Sequence, residues 1–279
     1  MKRKYLLPVF LFLLTCLLLP PRTTEAAASI KNLDKGKVYT AYDVTGDGKK
    51  DKFRVTTDKR DADDAYHTVK IYVNGKKVNT IKDTALGFYS VKIQLLTLKN
   101  GKPFLFLYAP GYYNNGNCDV YEFASGKFKS VINMNAFYGK NSTRNYDQYG
   151  GIVKVSGNSI TVNVHVTTFA LLGEMNASFK YTYKDGKLSR PAAGTVTSTP
   201  LDAMSGVSYF TVVKDTTLYT EGGGTKKAAF KLKKGNQYTV KKCWVQDGKF
   251  YLQATRKDGK IGWYKASALP LGEPEIYDR

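Results

Sequence analysis

The chain has 279 residues, 42% hydrophobic and 24% charged, with lysine and arginine outnumbering aspartate and glutamate 43 to 23. The resulting net charge of +20 says little about fold and much about partners, because such a surface concentrates polyanions and speeds encounter with them. Two histidines and three cysteines, with no G-x-S-x-G or P-loop pattern, exclude the familiar signatures of serine hydrolases, nucleotide hydrolases and histidine-rich metal sites.

The N-terminus reads as an export signal. Lys2, Arg3 and Lys4 form a basic start, Leu6 to Leu19 an apolar run, Pro20-Pro21 a break, and Ala26-Ala27-Ala28 a small-residue cleavage site. The apolar run has 14 residues, short of the ~20 a spanning helix needs, so cleavage after Ala28 is expected over a retained anchor. Lipidation at Cys16 is disfavoured by Thr15 before it and Leu17-Leu18-Leu19 after it. Removing 1–28 leaves 251 residues at a net +17 and no transmembrane segment, enough chain for two modest domains or one large β-domain.

Glycine turns punctuate the remainder: Asn74-Gly75, Asn100-Gly101, Ser125-Gly126, Ser156-Gly157, Asp185-Gly186, Lys234-Gly235, Asp247-Gly248 and Asp258-Gly259. Such pairs between alternating runs mark tight hairpins, since glycine accepts the positive φ of a primed turn. The intervening runs, Thr68–Val73, Phe104–Tyr108, Ser159–Val166, Phe179–Tyr183 and Tyr238–Val245, are β-branched and aromatic. An all-β chain follows, its N-terminal part an antiparallel propeller-like or sandwich domain. A helical turn near Ala266–Leu269 is the one exception foreseen. The proline-bounded stretch 191–207 reads as a linker between a domain at 29–190 and another at 208–272, with 273–279 a tail.

Asp43-Val44-Thr45-Gly46-Asp47-Gly48-Lys49-Lys50-Asp51 has oxygens at positions one, three, five and nine and glycine at six, the spacing a hard cation requires. Asp43, Thr45, Asp47 and Asp51 would give side-chain oxygens and Lys49 its carbonyl, to a structural calcium ion. Position twelve is Arg54, so no helix–loop–helix hand is expected. Residues 42–53 resemble the calcium loops of FG-GAP/VCBS-type repeats, which precede a blade strand. A single copy implies a degenerate propeller-like or sandwich domain. The acidic group Asp58, Asp61, Asp63 and Asp64 lacks this spacing and reads as a solvated loop.

Residues 211–268 resemble a bacterial SH3-like domain. Thr217-Leu218-Tyr219, Leu232-Lys233-Lys234-Gly235-Asn236, Val240–Val245 with Trp244, Phe250-Tyr251-Leu252 and Asp258-Gly259-Lys260-Ile261-Gly262-Trp263-Tyr264 carry that likeness. It implies a small β-barrel that binds peptidoglycan. Tyr219, Trp244, Tyr251, Trp263 and Tyr264 are the candidate ligand-binding residues, because flat rings bury area at low entropy cost. Trp263 is the one expected to pack inward.

No catalytic set stands out. Cys118 and His165 could form a thiol–imidazole pair, but Cys118 has no activating neighbour in sequence. Cys118 and Cys243 read as buried thiols, a long-range bridge being the alternative. Aromatic and Asn-rich stretches at Tyr112–Asn117 and Phe137-Tyr138 could meet a glycan or peptide, although packing on their own sheet is preferred. The expected protein is a secreted, wall-associated, non-catalytic binder of peptidoglycan or an anionic wall polymer. A polyanion or nucleic-acid binder, disfavoured in its nucleic-acid form by the export signal, and an accessory wall hydrolase are the alternatives.

Overall fold

Asn74–Gly75, Ser125–Gly126 and Asp185–Gly186 all take positive φ at both residues, 51° and 80°, 54° and 77°, 52° and 75°. These are two-residue primed turns, whose twist matches the flanking strands and fixes register on both sides. The structure is a computed structural model. It describes residues 27–83, 87–111, 116–138, 148–168, 173–190, 195–200, 209–223, 228–246, 249–266 and 272–274. Most of the expected export signal therefore lies outside the described residues.

The chain is all-β, with no helix among the described residues and hence none long and apolar enough to cross a membrane. Strand β1 (Ser29–Leu33) precedes three successive four-stranded antiparallel meanders. The first holds β2 (Tyr39–Tyr42), β3 (Asp51–Thr57), β4 (Thr68–Val73) and β5 (Lys76–Lys82). The second holds β6 (Lys92–Thr97), β7 (Pro103–Ala109), β8 (Asn117–Ala124) and β9 (Lys127–Asn133), with β1 added beside β6. The third holds β10 (Gln148–Ser156), β11 (Ser159–Thr168), β12 (Gly173–Lys184) and β13 (Lys187–Ser189). All five β-branched and aromatic runs identified above fall within strands, four of them in β4, β7, β11 and β12 and the fifth, Tyr238–Val245, in the C-terminal part.

The C-terminal part comprises β14 (Thr195–Pro200), β15 (Phe210–Val212), β16 (Thr216–Tyr219), β17 (Ala228–Leu232), β18 (Gln237–Gln246), β19 (Lys249–Arg256), β20 (Ile261–Lys265) and β21 (Gly272–Pro274). Strands β18, β19 and β20 form a meander continued by β16 and β17, while β15 pairs with both β18 and β21. Two differences from the sequence expectation appear here. Residues 195–200, inside the stretch read as a linker, form β14, which pairs with β12 on one side and β18 on the other. The start of the expected tail forms β21. Thr-Val-Thr composition suits a strand as well as a linker, and only pairing partners distant in sequence decide between them. Of the helical turn foreseen, only Ala266 is described.

Two apolar cores result. One lies between the first and second meanders, built from Phe53, Val69 and Ile71 against Leu95, Leu105 and Leu107. The other joins the second and third meanders to the C-terminal sheet, from Leu96 and Phe106 through Val162 and Phe179 to Phe250 and Leu252. Odd and even residues of β6 and β7 thus feed different cores, as the two-residue period of a strand dictates. Arg190 ties the C-terminal sheet down. Its guanidinium lies over Phe137 at 5.1 Å and Phe179 at 5.2 Å, and it donates to the Val245 carbonyl.

Candidate binding face and metal loop

The aromatic candidates sit on β16, β18, β19 and β20, and register decides which of them share a face. Trp244 pairs with Tyr251 and Tyr251 with Lys265, while Lys242 pairs with Gln253, Gln253 with Trp263, and Trp263 with Tyr219. Cross-strand partners project to the same side, as do residues two apart. Tyr219, Trp244, Tyr251 and Trp263 therefore occupy one face, with Lys242 and Lys265 beside them. The intervening residues Cys243, Leu252 and Tyr264 fill the core on the other side.

This corrects the assignment of roles. Tyr264, offered as a ligand contact, is a core residue, 3% exposed and set edge-on against Tyr238 at 6.1 Å. Trp263, expected to pack inward, is buried on the outer face and belongs to neither apolar core. The run Gly262-Trp263-Tyr264 is buried at all three positions, so amphipathic alternation gave no parity. Trp244 and Tyr219 are half-buried, and Trp244 meets Tyr251 edge to face at 5.6 Å. The loop after β16 lies on the indole. A Cβ at Gly222 would come within 2.6 Å of Trp244 Cγ, so that position needs glycine. Lys242, Gln253 and Lys265 were missed as members of this face; the spacings Lys242-x-Trp244 and Trp263-x-Lys265 were the signal that placed them there.

The proposed calcium loop joins β2 to β3 and is knitted by its own carboxylates. Asp43 Oδ1 accepts the Gly46 N–H at 2.5 Å and its Oδ2 the Gly48 N–H at 2.8 Å. Gly46 and Gly48, at φ 80° and 85°, supply the turns this demands. Asp47 Oδ1 accepts the Lys49 N–H at 2.8 Å. Asp51 is buried and accepts three bonds, from Val44 N–H at 2.9 Å, Thr45 N–H at 3.0 Å and Asn74 Nδ2 at 2.7 Å. Thr45, Asp47 and Asp51 line one groove with Asn74 and Lys76. The donors suit a hard cation by chemistry, being carboxylate, hydroxyl and carbonyl oxygens. Their arrangement here is a hydrogen-bonded loop, and among the described residues no three acidic, histidine or cysteine side chains converge on one point.

The other acidic group is more than a solvated loop. Asp61 Oδ1 accepts the N–H groups of Asp63 and Ala65, and its Oδ2 lies 2.5 Å from His67 Nε2. Asp58 caps the His67 and Thr68 N–H groups.

Cys118 and Cys243 are free and buried, so they are not bridged. Burial pushes each thiol up to about 12, which keeps the sulfur protonated at neutral pH. Cys118 Sγ instead packs against Gly150, accepting its N–H at 3.2 Å. Residues 112–115 lie outside the described residues. Tyr138 is core, its hydroxyl donating to the Val164 carbonyl at 3.1 Å. No protein-family model, curated protein or solved structure matches the chain.

Proposed function

We propose that this chain is a secreted, non-catalytic protein of the cell envelope whose C-terminal sheet docks on peptidoglycan or an anionic wall polymer. One observation carries the reading: half-buried Tyr219 and Trp244 share the face turned away from the core, backed by buried Tyr251 and Trp263 and beside exposed Lys242 and Lys265. Rings held rigid by a sheet lose little entropy on binding, and the lysines favour an anionic partner. The β18–β19–β20 meander, with β15 beside β18 and β16 beside β20, supports an SH3-like reading of this part. The Asp43–Asp51 loop is proposed to take calcium in a structural role, through Asp43, Thr45, Asp47, the Lys49 carbonyl and Asp51. A protonated, buried Cys118 favours binding over cysteine-based catalysis.

Sedimentation with purified peptidoglycan tests the reading. Trp244→Ala should abolish co-sedimentation while the fold, followed by circular dichroism, persists. The net +17 after loss of the signal favours a second reading, a general polyanion binder. That reading replaces the first if binding survives Trp244→Ala and falls steeply with salt. Loss of wall turbidity that depends on Cys118 would replace both with a hydrolase.

A further inference from the structure

We propose that the corner between the second and third meanders is a separate binding site, taking the ring of an acidic sugar. A cavity of about 260 Å³ opens there, walled by Lys92 and Tyr108 on one side and by Tyr149, Gly151, Asn163 and Asn176 on the other. That volume lies below the ~300 Å³ at which drug-sized pockets begin, so it suits one ring rather than a chain.

Its wall is a stack of rings. Tyr108 and Tyr149 lie with centroids 6.5 Å apart at 29°, and Tyr149 covers His165 at 4.4 Å and 26°. Stacked rings offer a rigid face whose negative quadrupole attracts the polarised C–H edges of a sugar. Polar groups surround that face. Asn163 lines the cavity, and its Oδ1 is buried with no hydrogen-bond partner among the described residues. Asn176 Oδ1 lies 3.2 Å from His165 Nδ1, which directs the amide and leaves its NH2 as a donor. Exposed Lys92, the register partner of Tyr108, sets a positive charge at the rim and selects an anionic substituent.

The two glycines of β10 have different tasks. A Cβ at Gly150 would lie 2.4 Å from the Asn163 carbonyl oxygen and 2.5 Å from Met134 Sδ, so the strand packs there only as glycine. A Cβ at Gly151 would meet nothing within 4 Å. Gly151 pairs with Asn163 and lies two residues from Tyr149, so the cavity exists partly because this position has no side chain. Gly-Gly inside a strand, costly to sheet stability, thereby gains a reason.

Strand β14 lies between this site and the wall-docking face, Asn176 pairing with Thr199 and Lys242 with Thr197, and the titrations below read the site by itself. Titration calorimetry with N-acetylmuramic acid and with neutral N-acetylglucosamine should show saturable binding, the acid up to about fivefold tighter. Gly151→Met, whose Cβ would meet no neighbour within 4 Å and whose longer chain would occupy the cavity, should weaken both by at least about tenfold at unchanged melting temperature. Lys92→Ala should remove the preference for the acid, and Trp244→Ala should change neither titration. Absence of saturable heat with both sugars at millimolar concentration overturns the proposal. So does native affinity in Gly151→Met.

Discussion

Asn79 joins two sheets at Phe128: its Oδ1 accepts the Phe128 N–H at 2.7 Å, and its Nδ2 donates to the Phe128 carbonyl at 2.8 Å. Asn79 lies on β5 and Phe128 on β9, each the edge strand of its sheet. Exposed edges are a template for aggregation, and here one amide stands in for a strand pair across the gap. Phe128 is buried beneath, edge-on to Phe53 at 6.2 Å and to Phe123 at 5.2 Å. Asn79→Ala should cost about 1–3 kcal/mol, because it leaves two backbone groups beside an apolar core without partners. Urea unfolding measures this, and an unchanged midpoint would refute the edge-joining role. Asn79→Asp should fare no better, since a carboxylate cannot donate to the carbonyl.

On the C-terminal sheet, face predicts phenotype. Tyr264→Ala removes a core ring and should destabilise by about 3–5 kcal/mol, by analogy with other large-to-alanine core changes. Trp244→Ala, on the outer face, should cost less stability and lose wall binding. If Tyr264→Ala reduced peptidoglycan sedimentation while its melting held, the division into inner and outer faces would be wrong.

What the sequence made legible follows from which forces are local. Asn74-Gly75 and Asp185-Gly186 fix a hairpin within four residues, so strands and turns were readable from composition alone. The roles of Trp263 and Tyr264 were not, because a strand buried on both faces loses its two-residue signal. Strand β14 was missed for a related reason: Thr195–Pro200 becomes a strand only through β12 and β18, neither of which is its hairpin neighbour. The cavity at Gly151 depends on Tyr108, about forty residues away, and nothing local announces it. The loop from Asp43 to Asp51 was readable as a pattern, yet the burial of Asp51 needed Asn74 from the next hairpin.

That burial separates two classes of loop variant. Asp51→Ala removes three hydrogen bonds to one carboxylate and should lower stability in calcium and in chelator alike. Asp47 is exposed and accepts one local N–H, so Asp47→Ala should leave the chelated protein nearly unchanged and remove only a calcium response. For the native chain, calcium at a hundredfold over its dissociation constant should add about 2.7 kcal/mol. Melting curves with calcium and with chelator that superimpose would remove the ion from the account.

The His67–Asp61 contact should make the loop between β3 and β4 sensitive to pH. The Asp61 carboxylate, then the Asp83 carbonyl, raise the His67 pKa, so its contribution is complete below about 6.5 and is lost as pH rises through the raised value. Asp61 is held below its ordinary value by the Ala65 N–H first and His67 second. Its contribution is therefore present above about 3.9 and is lost as pH falls. Between those limits the loop is tightest. Hydrogen exchange at the Ala65 N–H, corrected for intrinsic rate, should quicken as pH rises from about 6 to 8. His67→Ala should flatten that dependence, and a native-like profile in the variant would refute it.

The two cysteines should be silent until the chain unfolds. Burial raises both thiols, and the Asp119 charge adds to it at Cys118; the Gly150 N–H lowers Cys118, and Arg190 lowers Cys243, only in part. Since the thiolate is the reactive form, a disulfide reagent at neutral pH should label neither residue in the folded protein and both in denaturant. Labelling in native conditions would then track opening of the core that both sulfurs share, and its rate should rise in Arg190→Ala, which frees the C-terminal sheet from Phe137 and Phe179. Rapid labelling of Cys118 in the unmodified native chain would show an accessible thiolate, and with it the catalytic reading set aside above.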